Sequence, residues 1–457
     1  MVKIAPFKGL VYNIEEIADH GPLLTSPPYD VLTPAQRAEL LECHPHNFLH
    51  LDLGRVLPRD KDPHAWHARS AKLLKEWVKT GVLTRREQPA IYLMDTDWTH
   101  PVTGRKQTRH GFVCLLRLET PSPTSTVRPH EKTFSYHKQE RLSLMEKTKA
   151  QLSPIFGFFP DPDGQILKTM FDFSRTDPDI YINERSGLAH SVSFLQTHET
   201  IGKLTEFLAD KTVYIADGHH RYETALNYSN KIKKTLKSVD ENSAINYVMA
   251  YLCPMSDPGL CVLPTHRILQ RLDKSNAEVL KALEPLVDIK EYPFAPHGEK
   301  GARKLLSAKL LEDNKKGLSV FGLYLSGADS CYLLKVRERI KQEEVERDPA
   351  TSQLAALDVT VLTQIVFQQG LGLSDEDMDD QDLIHYISST TEAVRLITAD
   401  QARAAFIINP TSLDEILRVT EDGLLMPRKA TYFYPKVSNG LVVNPLDPAE
   451  IITVVHH

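Results

Sequence analysis

Trp66, Leu73, Leu74 and Trp77 recur at helical spacing between Ala65 and Thr80, which predicts an amphipathic helix that Gly81 stops. Upstream, Thr33, Pro34 and Gln36 read as N-cap, first helical residue and capping-box partner of another helix. The pattern then changes. Ile91–Met94 and Gly111–Leu116 are apolar runs that predict a strand hairpin around Gly104, and Ile155–Phe159 is a buried strand after the helix-compatible stretch 139–152. Val213–Ala216 is a short apolar strand, with a helix expected from about Glu223. Strands follow at Tyr247–Leu252 and Cys261–Leu263. The last third alternates helices (276–286, 300–311, 352–369) with strands (321–325, 332–336, 404–408), and Ser412 with Glu415 boxes one more helix. The acidic stretch 374–382 reads as solvated surface.

Hairpins mixed with helices make the fold class α+β. A chain of 457 residues exceeds one ordinary core, so two or three domains are expected. With 41% hydrophobic residues, that core needs no metal or disulfide staple. The formal charge of −6 supplies no basic field for a polyanion, so nucleic acid is not an expected partner. Five scattered cysteines suit a reducing compartment and suggest neither a disulfide framework nor zinc. No apolar run is long enough to span a bilayer and the N-terminus lacks a signal pattern, so a cytoplasmic protein without membrane partners is expected.

Asp217-Gly218-His219-His220-Arg221 is the strongest chemical signal. Glycine permits a tight turn from strand to helix, and a helix start attracts anions. His219, His220 and Arg221 offer donors that match phosphate oxygens, and Asp217 is placed to meet a divalent cation. The bland alternative makes both histidines capping or core residues, but four polar residues and a glycine directly after an apolar strand fit it poorly. Zinc is disfavoured because adjacent side chains diverge and no third ligand is evident. Arg128-Pro129-His130-Glu131 holds a carboxylate beside a histidine, as a general base would, though a solvated loop would look the same. Lys429 and Thr431 offer a charge and a hydroxyl near the C-terminus. Thr265-His266-Arg267 and Pro28-Tyr29-Asp30 either line a pocket or shape a turn. P-loop, dinucleotide-fold, zinc-protease and nucleophile-elbow signatures are missing.

From Ile4-Ala5-Pro6-Phe7 through Pro28-Tyr29-Asp30-Val31 to Thr431–Lys436 the chain resembles the bacterial domain-of-unknown-function 1015 family. Its motifs 128–131, 217–222 and 426–431 are also similar, in order, to K-P-H-E, D-G-H-H-R-W and S-P-K-T-T of the free serine kinases in the ParB/sulfiredoxin-like superfamily. Tyr222 stands for the tryptophan, and Ala430 for a residue usually Ser or Thr. That resemblance implies a ParB/sulfiredoxin-like kinase core with an N-terminal extension and additional α/β segments. The expected division is an N-terminal segment 1–127, a phosphate-binding core 128–270 and a segment 271–457 completing the active site.

The resemblance further implies a phosphotransferase acting on a small hydroxylated metabolite, with L-serine first. The donor would be ATP, ADP or pyrophosphate, used with Mg²⁺. Glu131 would be the general base, Asp217 would position Mg²⁺, and His220 would act with it in catalysis. His130, Gly218, His219, Arg221, Lys429 and Thr431 would hold phosphates. Glu131, Lys429 and His220 are expected to face one cleft. The alternative is a non-catalytic nucleotide- or phosphate-binding regulator. A ParB-like DNA partner conflicts with the charge, and a sulfiredoxin-like reductase lacks its cysteine, since none lies between Cys114 and Cys253.

Overall fold

The computed structural model describes residues 1–58, 60, 62, 64–122, 124–131, 135–173, 177–295, 298–347 and 349–454; for 135–138 and 349 only the backbone is described. The chain is α+β and forms two compact units, both discontinuous in sequence. The first is 1–129, 133–261 and 435–457; the second is 130–132 and 262–434.

The first unit is organised by a nine-stranded mixed sheet. Its central hairpin, Ile91–Thr99 with Lys106–Arg117, is the one the apolar runs predict, extended in both strands. Tyr247–Pro254 lies on the far side of Lys106–Arg117 and parallel to Ile155–Phe159, whose five residues are all buried. Val213–Asp217 then runs antiparallel to Ile155–Phe159 and parallel to Val127–Pro129, with an irregularity in register between Ile215 and Asp217. The break in pairing lies where the strand turns toward its helix. Helix His219–Thr235 buries one stripe, including Tyr222, Ala225 and Tyr228, against the core that contains Val213, Ile215 and Ile155. Tyr222 pins this helix, since its hydroxyl donates to the Glu119 carbonyl and accepts from the Glu119 amide.

A second cluster of the same unit packs the predicted helix Trp66–Thr80, ended by Gly81 at φ 81°, with Phe48, Leu51 and Leu144. The Thr33–Gln36 capping box is present on helix Pro34–Cys43. Helix Ser135–Thr148 occupies the helix-compatible stretch. Helix Ile14–Leu24 carries Pro22 in its interior, and no periodic signal predicts it.

The second unit holds a six-stranded antiparallel sheet in the order 287–293, 330–336, 320–325, 404–407, 266–269, 384–387. Helix Gly298–Asn314 buries Ala302, Leu306 and Leu310 on it. The single helix expected over 352–369 is broken. Ser352–Ala355 and Asp358–Val361 are separate turns of helix, and Leu362–Leu371 continues in wide, π-type turns. The cause is Leu357, whose backbone is extended (φ −66°, ψ 137°) while its side chain is buried. The acidic stretch forms a short helix, Asp375–Asp379, capped by Ser374. Among the described residues, no helix is long and apolar enough to cross a membrane.

Candidate functional site

In the first unit, strand Val213–Asp217 delivers Asp217 to a turn at Gly218, and the helix starts at His219, one turn earlier than the sequence suggested. Gly218 has φ 85°, a conformation costly for other residues, and a Cβ there would lie 2.9 Å from Arg221 Nε. Glycine therefore sets the turn and lets Arg221 fold back against it. The two terminal nitrogens of Arg221 donate to the Asp217 carboxylate and the Pro154 carbonyl. Lys436 Nζ donates to the other Asp217 oxygen at 2.6 Å, across 219 residues of sequence. Burial pushes the Asp217 carboxyl up, but Lys436, then Arg221 and His219, overcome it and hold the group well below the usual carboxylate range. His219 and His220 are half-buried in the first turn, at the positive end of the helix dipole. The turn is thus a dense cluster of cations and donors organised around one carboxylate.

In the second unit, Glu131 bridges in parallel to Met426, and the Met426 amide donates to the His130 carbonyl at 2.8 Å. His130 is fully buried, with a ring nitrogen 2.8 Å from Thr431 Oγ1 and the ring edge-on to Phe433. The Lys429 amide donates to Glu131 Oε1 at 3.1 Å. Lys429 itself sits in the left-handed region at φ 59°, and its carbonyl accepts from Thr265 Oγ1 at 2.6 Å. Arg267 in turn donates to the Thr265 carbonyl and hydroxyl. Burial lowers the Arg267 guanidinium to about 10, with Tyr386 and Glu131 opposing that shift. Residues some 300 positions apart thus form one braced loop that holds a carboxylate beside a lysine.

The description "Protein of unknown function (DUF1015)" belongs to a family model that matches residues 4–360 of this chain. The chain belongs to the DUF1015 family. No curated protein matches it. Among solved structures, this DUF1015 chain is similar to a free serine kinase in complex with AMP (10% identity, 67% of this chain and 83% of that one, TM-score 0.31). It is also similar to a free serine kinase mutant in complex with ADP (10% identity, 67% and 84%, TM-score 0.32). A third is SbnI with a C-terminal truncation from Staphylococcus aureus (12% identity, 73% and 87%, TM-score 0.33).

Of the residues that sequence reasoning singles out in this DUF1015 chain, Asp217, Gly218, His219, His220 and Arg221 share the turn of the first unit. His130, Glu131, Lys429 and Thr431 share the loop of the second. Sequence reasoning missed Lys436, whose only signal was a position inside a resembling stretch. It left Thr265 and Arg267 undecided, and they brace Lys429. Asp217 offers a poor seat for a metal by itself, because each of its oxygens already accepts from a protein cation. Among the described residues, the group whose ligand atoms lie within 4.8 Å of one another is instead Glu16, His44 and His46. There the His46 ring meets Glu16 at 2.5 Å.

Proposed function

We propose that this protein is a phosphotransferase acting on a small hydroxylated metabolite, with free L-serine as the first candidate and O-phosphoserine as product. The observation that carries the reading is the Asp217–Arg221 turn. A left-handed glycine opens a 17-residue helix there, with two histidines in its first turn and two cations on Asp217. Such an arrangement stabilises the charge of a transferring phosphoryl group, and positioning with charge neutralisation supplies most of the rate in this chemistry.

In this reading His219 and His220 meet the phosphate, with the Gly218 backbone beside them, and His220 follows the group through transfer. Asp217 holds Arg221 and Lys436 in place. Glu131 takes the acceptor hydroxyl's proton, and Lys429 and Thr431 cradle the phosphates of ATP, ADP or pyrophosphate, with His130 fixing Thr431. Mg²⁺ would come with the donor's phosphates and supply charge neutralisation there, and Asp217 would hold it only on giving up Arg221 or Lys436. The three consecutive segments 1–127, 128–270 and 271–457 are retained as extension, core and completing part, in a cytoplasmic enzyme.

One observation favours a non-catalytic phosphate-binding regulator. Glu131 Oε1 already accepts the Lys429 amide, which weakens it as a base. Incubation with Mg²⁺, each donor and L-serine, followed by ³¹P NMR, separates the two readings. Transfer gives a new phosphomonoester signal, whereas a regulator returns every donor unchanged.

A further inference from the structure

Two short segments of the first unit bring together side chains that the phosphotransfer reading leaves unused. Glu16 and His20 stand one turn apart on helix Ile14–Leu24, and His44 and His46 flank Pro45 directly after helix Pro34–Cys43. Local rules place each pair. Asn13 caps the first helix by accepting the Glu16 amide at 2.6 Å, which sets Glu16 in the opening turn. His44 ends the second helix with an extended backbone (φ −160°, ψ 141°), a conformation that favours residues 44 and 46 sharing a side.

One donor atom each from Glu16, His44 and His46 lies within 4.8 Å of the other two. His46 Nδ1 is 2.5 Å from Glu16 Oε1, and the His20 ring lies 4.4 Å from that of His44. Two imidazole nitrogens with one carboxylate oxygen are the donor set of a zinc site that keeps an open position. Mg²⁺ and Ca²⁺ prefer oxygen alone. Ligands at about 2.0–2.1 Å from a tetrahedral ion stand about 3.3 Å apart. The His46–Glu16 pair therefore opens by under about 1 Å, and the other pairs close by at most about 1.5 Å. His44 gives up the His46 amide, which donates to its Nδ1 at 3.1 Å.

The backbone that carries these donors is already fixed. The Asn47 side chain, fully buried, donates to the Leu23 and Thr25 carbonyls at 2.6 and 3.0 Å. The Phe48 amide donates to the Leu24 carbonyl at 2.7 Å, and the Tyr12 hydroxyl donates to the His46 carbonyl at 2.7 Å. These bonds stitch the loop after His44 to the end of the helix that carries Glu16. An arriving ion has only side chains to order, so little conformational entropy opposes it. It also has a way in. The Glu16 and His46 side chains are 14% and 29% exposed, and His46 lines a cavity of about 340 Å³ with Leu73, Glu76 and Trp77.

We propose that Glu16, His44 and His46 form a three-ligand site for a divalent transition-metal ion of the Zn²⁺ class, with water as the fourth ligand. The ion takes the place of the hydrogen between His46 and Glu16. It clips helix Ile14–Leu24 to the loop that follows helix Pro34–Cys43. The site is independent of the phosphotransfer reading.

The full chain, stripped with a chelator and dialysed, is titrated with Zn²⁺ and separately with Mg²⁺ by calorimetry, and its melting temperature is followed. Glu16→Gln and His44→Asn are the test variants, since each keeps a polar side chain of similar size and removes a metal donor. The wild type binds Zn²⁺ saturably and more tightly than Mg²⁺, and Zn²⁺ raises its melting temperature because the ion favours the folded chain. Each variant melts near the wild type in chelator but binds Zn²⁺ at least about tenfold more weakly, since loss of an outer-shell partner alone costs that much. Co²⁺ used in place of Zn²⁺ gives the wild type the intense visible bands of tetrahedral ligation, and they fade in both variants. A wild type that takes up no Zn²⁺ overturns the proposal. So does Zn²⁺ binding that both variants leave unchanged, or Mg²⁺ bound as tightly as Zn²⁺.

Discussion

The Asp217–Arg221 turn and the Glu131–Lys429 loop both present a carboxylate among cations, and they are built in opposite ways. Four of the turn's five residues bear charge or can accept it, and local rules suffice to arrange them: an apolar strand, a left-handed glycine and a helix start. The loop joins residues 298 and 301 positions apart, and it exists only once the second unit has folded. Their electrostatics differ as well. Asp217 is clamped by two side-chain cations, and Glu131 accepts the Lys429 amide and interacts with the Arg267 charge. A carboxylate clamped by cations is a poor base and a good organiser. Under the phosphotransfer proposal the turn organises charge and the loop takes the proton.

The sharpest way to break that division is Glu131→Gln, which keeps the shape and removes the proton acceptor. Steady-state kinetics should show kcat lowered by roughly 10²-fold or more with the donor's KM near normal. An undiminished kcat would remove Glu131 as the base. Lys436→Met leaves the largely buried Asp217 with one cation fewer, and chemical denaturation should show a loss of about 2–4 kcal/mol. Because the folded Asp217 is held low, its stabilisation is present above the unfolded value of about 4 and is lost as pH falls below it. In Lys436→Met the folded carboxyl moves up toward its unfolded value, so that acid-dependent loss should shrink and be complete at higher pH. Adding Asp217→Asn to Lys436→Met should recover part of the stability, and no recovery would show that Lys436 acts by packing alone.

A smaller effect probes the frame behind the loop. His266, beside Thr265 and Arg267, accepts the Ile408 amide at Nδ1 and meets Thr390 Oγ1 through Nε2, an arrangement for a neutral ring. Burial, then Arg267, lowers it to about 4. The unfolded chain therefore binds the proton first, near pH 6.5, so stability is full above that value and falls as pH drops toward 4. The loss at pH 4 should be about 2–3 kcal/mol, and His266→Gln should flatten that window in a pH series of denaturation curves. Smallest is Thr431→Val, which removes the His130 contact and should cost about 1 kcal/mol in the same assay.

What was legible in the sequence follows the same contrast. Val213–Ala216 and the residues after it announce a strand, a turn and an anion site by their order alone. The capping boxes at Thr33 and Ser412 and the stop at Gly81 are equally local, and all three are present. The kinked helix over 352–369 was not legible, because burial of Leu357 overrides a pattern that reads as continuous. Lys436 was invisible as a partner of Asp217, since an ion pair across 219 residues leaves no spacing to read. Pro28-Tyr29-Asp30 looked like a turn or a pocket wall, and Tyr29 is in fact both, a short 3₁₀ turn whose ring lines a cavity with Arg141.

The claim on which the account turns is that the Asp217–Arg221 turn binds phosphate. Histidine-labelled protein titrated with inorganic phosphate and followed by NMR tests it directly, with His219→Asn and His220→Asn identifying the two ring signals. The account predicts that both signals shift saturably, and that ADP and pyrophosphate compete for the same site. Ring signals of His219 and His220 that stay in place at saturating phosphate would contradict it.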